Sequence, residues 1–321
     1  MTTLTILVRR ATLVLLGVVL LTADASAQKV LRDGIDSPPA RLTAEAAAAT
    51  AAANAADCVL GAADVDLNIN NVRAKMYNIG GLFWRGGGAQ YEVPYNPDAE
   101  AAGPGSIFAS GIWVAGLLDG NPDNLRFAGS TYNNWEFWPG PLDAEGETTA
   151  GRCTSFDKLW RVSFEDVQDY TANGLTAETN QDLTGWPIAQ GAPYFLDTNG
   201  NDRRDPDEER IELNLGDPGY SLTRGGGATL DLAAGFRPDI IGDQAVWWVM
   251  NDNGNTHGWS GAAPLEVEVR AQAFAFSTAD ALNNTTFYRY QFVYRGPSNL
   301  EESYISLWSD PDLGNFGDDY V

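Results

Sequence analysis

The residues of this chain best spaced for chemistry are Asp197-Thr-Asn-Gly-Asn-Asp-Arg-Arg-Asp-Pro-Asp-Glu208. Counted as a twelve-residue calcium loop, Asp197, Asn199 and Asn201 fall at positions one, three and five. Arg203 offers its backbone carbonyl at seven, Asp205 stands at nine, and Glu208 closes at twelve as a bidentate carboxylate. Ca2+ takes six to eight hard oxygen ligands, which alternate acidic and amide side chains on a tightly turning loop can supply. Position six carries Asp202 where such loops carry glycine. No amphipathic helices flank the segment, so the expectation is a structural ion of the extracellular kind, not a sensor. The competing reading is an exposed acidic turn.

Other candidates are weaker. Asp310, Asp312, Asn315, Asp318 and Asp319 form a looser acidic group that a turn around Pro311 and Gly314 explains without a metal. His257 is the single histidine, and no G-x-S-x-G elbow supplies a serine for it, so a surface side chain beside a turn is expected. Asn251–Asn255 contains Asn253-Gly254, the dipeptide of tight hairpin turns. A carboxylate pair of glycosidase type has no specific signal in a chain with 43 acidic residues. Arg85-Gly-Gly-Gly88 and Arg224-Gly-Gly-Gly227 lack the Lys-Ser/Thr ending of a phosphate loop and read as loops. The ten tryptophans, Trp135, Trp138, Trp247, Trp248 and Trp259 among them, suit sugar stacking or core filling, and core or interface is the preferred reading. Cys58 and Cys153 are expected to pair as a disulfide, the alternative being two buried thiols. With one histidine they cannot make a four-ligand structural zinc site.

The elements that would position these groups are short. From Val65 onward, apolar runs are separated by Gly, Asn, Asp and Pro, the texture of a β domain. Leu265–Phe276 alternates strictly, with Leu265, Val267, Val269, Ala271, Ala273 and Ala275 on one face. Phe287–Tyr294 is its expected hairpin partner. Val72–Trp84, Ile107–Leu117, Leu159–Phe164, Val246–Met250 and Ser303–Trp308 read as further strands. Ser163 with Asp166 is placed to cap one helical turn over Glu165–Tyr170. The expected fold class is all-β: a β-sandwich or two packed antiparallel sheets with long loops and little helix.

Residues 1–27 read as a secretory signal peptide, with Arg9 and Arg10 ahead of the apolar Ala11–Leu21 and an Ala25-Ser-Ala27 cleavage site. The apolar run is well short of the ~20 residues a bilayer span needs, so no membrane insertion is expected after cleavage. Residues 28–60 form an Ala-rich linker, and 61–321 a β-rich extracellular domain. The abrupt end at Asp318-Asp-Tyr-Val321 suggests a fragment of a longer protein. A net charge of −23, with only three lysines against 17 arginines, excludes nucleic-acid binding through a basic surface. Such an acidic, lysine-poor coat also points to a saline habitat.

Several segments resemble one family: Asn70–Trp84, Ser106–Trp113, Phe137–Leu142, Gly242–Val249, Ala281–Arg289, Ser309–Gly314 and Asp318–Val321. In this order they resemble the N-terminal region of large Bacteroidota-type secreted proteins exported by the type IX secretion system, although the sorting domain is missing here. The resemblance implies a secreted or outer cell-surface location and carries no reaction with it. The expected function is therefore a calcium-stabilised β-domain with a structural or adhesive role in a larger surface protein. Its partners would be cell-surface polymers, glycans or other surface proteins. The alternative is an extracellular hydrolase or carbohydrate-binding module using Trp platforms and paired carboxylates. No catalytic constellation is present in the sequence to favour an enzyme.

Overall fold

The structure is a computed structural model describing residues 56–98 and 103–312, together with the backbone of 13–17. The rest of the expected leader, residues 28–55 of the linker, and Asn315, Asp318 and Asp319 lie outside the described residues. The chain runs through β1 (Leu13–Gly17), β2 (Asp64–Leu67), β3 (Arg73–Tyr77), β4 (Gly81–Leu82) and β5 (Tyr91–Glu92). There follow β6 (Gly105–Leu118), β7 (Leu125–Gly129), β8 (Trp138–Pro139), α1 (Ala150–Ser155), β9 (Trp160–Ser163), α2 (Phe164–Asn173) and α3 (Gln181–Thr184). After β10 (Tyr194–Leu196) and β11 (Phe236–Pro238) come the long strands β12 (Gln244–Asn251), β13 (Val267–Ala275), β14 (Thr286–Tyr294) and β15 (Leu300–Pro311).

Two main antiparallel sheets pack together, as the sequence pattern predicts. One has the order β1-β14-β13-β12-β8, with β9 also against β12; the other runs β15-β6-β4-β3-β2, with β5 and β7 pairing onto it. Between them lies the main core. Leu67, Ala74 and Met76 come from one sheet, with Val72 just ahead of β3, and Val246, Trp248, Met250, Val267 and Val269 from the other. Each large side chain withdrawn from water here contributes about 1.5–3 kcal/mol.

β12 carries a continuous apolar run from Ala245 to Met250, and all eight of its residues are buried. Such a run signals a strand covered on both sides. Val246, Trp248 and Met250 point into the sandwich, while Trp247 and Val249 enter a second core with Phe156, Trp160, Val162, Val167, Leu183, Trp186 and Ile188. That second core lies under residues 156–240, an insertion of helices and long loops. On the neighbouring β13 it also covers the polar positions: Glu268, Arg270 and Gln272 are all buried. Arg270 donates to Glu268 at 2.7 Å and to the Leu213 carbonyl at 3.0 Å, and Gln272 donates to the Asp239 carbonyl at 2.9 Å. Alternation in this strand thus separates two interiors, not an interior from solvent.

Three expected elements differ in detail. Val72–Trp84 is not one strand, because Gly80 adopts φ +81 between β3 and β4 and a Cβ there would lie 2.3 Å from the Phe137 ring. Ser163 and Asp166 do form a capping box, and the helix they start extends to Asn173. Residues 56–60, inside the segment read as linker, belong to the described fold, with Cys58 bonded to Cys153 of α1 at a Cα separation of 5.8 Å. Ala56, Cys58, Cys153 and Trp138 form a small cluster of their own. On the chain-entropy model, closing a loop of 95 residues stabilises the fold by about 4–5 kcal/mol. Among the described residues, no helix is long and apolar enough to cross a membrane.

Candidate functional site

The Asp197–Glu208 loop leaves the end of β10 and is closed behind by a bridge between Tyr194 and Ile211. Its side chains build the turn. Asp197 accepts from the Gly200 and Asp202 amides at 2.7 and 2.8 Å, Asn199 from Asn201 at 3.1 Å, and Asn201 from Arg203 at 2.8 Å. Glu208 reaches back to accept from the Thr198 amide and hydroxyl at 2.7 and 2.9 Å and from the Asp205 amide at 3.0 Å. The Thr198 and Asp205 amides hold its carboxyl below the usual range. Asp202, at position six, adopts φ +61, the left-handed conformation that makes glycine usual there. Aspartate tolerates it better than most residues. The Asp202 carboxylate turns away, accepting from Arg237 at 2.7 Å and from Thr171 on α2 at 2.8 Å.

The loop brings three of the six expected ligands together. The Asn199 and Asn201 amides both donate to one Asp205 oxygen, at 2.7 and 2.9 Å. Asp197 and Glu208 serve backbone N–H groups in the same loop. The Arg203 side chain departs to Asp243 at 2.7 Å and stacks 3.6 Å over the Phe164 ring, leaving its carbonyl at position seven. Among the described residues, no three His, Cys, Asp or Glu side chains are grouped as a metal centre. A cation here would need the amide and backbone oxygens as well. Of the second acidic group, Asp310 belongs to β15 and accepts from the Tyr132 hydroxyl at 2.9 Å.

His257 is not a surface residue. It is 1% exposed, with Nδ1 2.7 Å from the Phe127 carbonyl and Nε2 2.6 Å from the Asp252 carbonyl. A carbonyl only accepts, so both contacts are hydrogen bonds only when each ring nitrogen carries a proton. The Glu136 carboxylate lies 3.8 Å from Nδ1. Asp252 accepts from the Leu265 and Val267 amides at 2.5 and 2.7 Å, and burial pushes its carboxyl up against the pull of His257. Asn253-Gly254 is not a tight hairpin turn either. It is buried within the long connection 252–266 between β12 and β13.

That connection also walls a shallow groove of about 600 Å³. Trp135, Trp138 and Trp259 line it with Asn133, Asn134 and Asn255, and Cys58 lies beside them. Trp247 and Trp248 are core residues, as the sequence suggests, and Trp138 is 5% exposed, whereas Trp135 and Trp259 are half-buried. The groove is held rigidly. Trp259 packs at 5.9 Å on Trp113 and 5.8 Å on Phe127, and Asn255 donates to the Cys58 carbonyl at 3.0 Å. Cys58 in turn donates its amide to the Gly254 carbonyl at 2.9 Å, so the disulfide pins one wall. None of the lining side chains is ionisable. The groove can stack and hydrogen-bond a ligand but has no acid or base with which to cleave one. Sequence reasoning marked the tryptophans and missed Asn133 and Asn134, although Asn133-Asn-Trp135 was the available signal.

No protein-family model, curated protein or solved structure matches this chain.

Proposed function

We propose that this chain is a secreted or cell-surface β-domain with a structural and adhesive role in a larger surface protein, stabilised by calcium in the Asp197–Glu208 loop. The observation that carries it is the Cys58–Cys153 bridge, since disulfides form and persist in oxidising, extracytoplasmic compartments. The apolar leader and the resemblance to type IX-exported surface proteins support the same location. Calcium is supported by the loop conformation, in which position six takes the glycine-type angle and position twelve closes back on position two. Millimolar affinity is enough for a structural ion outside the cell.

The test is expression of the whole chain with its own leader. Protein recovered outside the cytoplasm should begin at Gln28, contain no free thiol, and melt at lower temperature in a calcium chelator. A reduced protein confined to the cytoplasm overturns export. A chelator that leaves the melting temperature unchanged overturns calcium.

A further inference from the structure

We propose that the groove between Trp135, Trp138 and Trp259 binds a neutral carbohydrate chain. Charge is the first argument. The protein carries −23, with 43 acidic residues, yet none of them lines this groove. A cationic ligand would be better served almost anywhere else on the surface. An anionic one would approach against the field of the whole molecule. A neutral polar ligand meets neither problem.

Side-chain chemistry is the second argument. The half-buried Trp135 and Trp259 give flat apolar surface for the C–H face of a pyranose ring, and the buried Trp138 backs the groove between them. The exposed Asn133 amide presents a donor and an acceptor together, matching sugar hydroxyls, which are likewise both. Asn133 is exposed, whereas Asn134 is fixed by donating to Thr131 at 3.2 Å and Asn255 by donating to the Cys58 carbonyl. The site is therefore largely preformed, which lowers the ordering cost of binding. Its volume lies within the ~300–1,000 Å³ of small-molecule sites, and its open shape suits a chain lying across it better than an enclosed monosaccharide. The inference deepens the adhesive reading and rests on it for where such a chain would be met.

The experiment is calorimetric titration of the full, disulfide-intact chain with cellohexaose, laminarihexaose, maltohexaose, xylohexaose and chitohexaose, with hexagalacturonate as the charged control. At least one neutral oligosaccharide should bind and quench tryptophan fluorescence, and hexagalacturonate should bind at least tenfold more weakly. Asn133→Ala should weaken binding about tenfold with an unchanged melting temperature, which keeps the test sound if Trp259→Ala fails to fold. Absence of binding by every neutral oligosaccharide overturns the groove assignment and leaves the disulfide and export result standing. So does binding that Asn133→Ala does not alter, or that hexagalacturonate matches. A chain that binds sugar but proves cytoplasmic and reduced overturns export and leaves the groove assignment intact.

Discussion

Glu266 is where pH should act most directly on this molecule. It sits at φ +65 just before β13, with its carboxyl pushed up to about 7, from an ordinary 4.5, first by burial and then by Asp252 and Glu147, with Arg126 opposing them. Between those two values the folded chain binds a proton that the unfolded chain has released. Stability therefore falls as pH rises from about 4.5 to about 7, and nothing further is lost above that. Glu266→Gln should raise the melting temperature at pH 8 and leave it unchanged at pH 4. The gain should be at most ~1 kcal/mol once solvent screening of this half-buried group is allowed for. Equal effects at both pH values in a thermal melt would refute it. Residue-scale reading of the sequence failed most clearly at His257. A lone polar residue beside Asn-Asp-Asn-Gly-Asn looks solvated, but one of its two carbonyl partners, Phe127, lies 130 positions away. Nothing local announces such a partner. The Asp197–Glu208 spacing is different: its partners are its own neighbours, so the turn was legible.

At the scale of elements, the junction between β9 and α2 shows what local sequence can specify. Ser163 caps the helix by accepting from the Asp166 amide at 3.1 Å. One Asp166 oxygen accepts from the Ser163 amide and hydroxyl, both at 2.7 Å, and from Asn180 at 3.0 Å. Ser163→Ala removes one cap and should cost about 1 kcal/mol. Asp166→Ala strips three donors of their partner at once and should cost about 2 kcal/mol or more. Urea titration of the two variants checks the order, and a milder Asp166→Ala would contradict it. The long strands were legible for the same local reason, since period-two alternation in β13 and an unbroken apolar run in β12 are carried by consecutive residues. The insertion was not. Its cover over Glu268, Arg270 and Gln272 depends on Leu213, Asn214 and Asp239, which belong to loops with no periodicity.

For the whole molecule, composition and structure meet in the arginines. Glu268 is paired with Arg270 and Arg295, Asp239 with Arg204 and Arg210, Glu212 with Arg210 and Arg289, and Asp202 with Arg237. Arginine's planar fork suits such buried, many-partnered pairing better than a lysine ammonium does, in keeping with 17 arginines against three lysines. With six of the 17 arginines held at these seams, the outer coat is left strongly acidic and repels itself. The melting temperature should therefore rise between dilute buffer and molar NaCl, as the Debye length shortens from ~30 Å at 0.01 M to ~3 Å at 1 M. Calorimetry showing no rise would sink the saline-habitat expectation.

β12 gives this architecture a property that neither core has alone. With Trp248 facing the sandwich and Trp247 facing the insertion, it is a party wall with a tenant on each side. Vacating either side would leave an indole facing water across a strand that still holds up the other. The insertion is therefore no detachable ornament on a finished sandwich, for all its loops and short helices. The two interiors stand or collapse as one building.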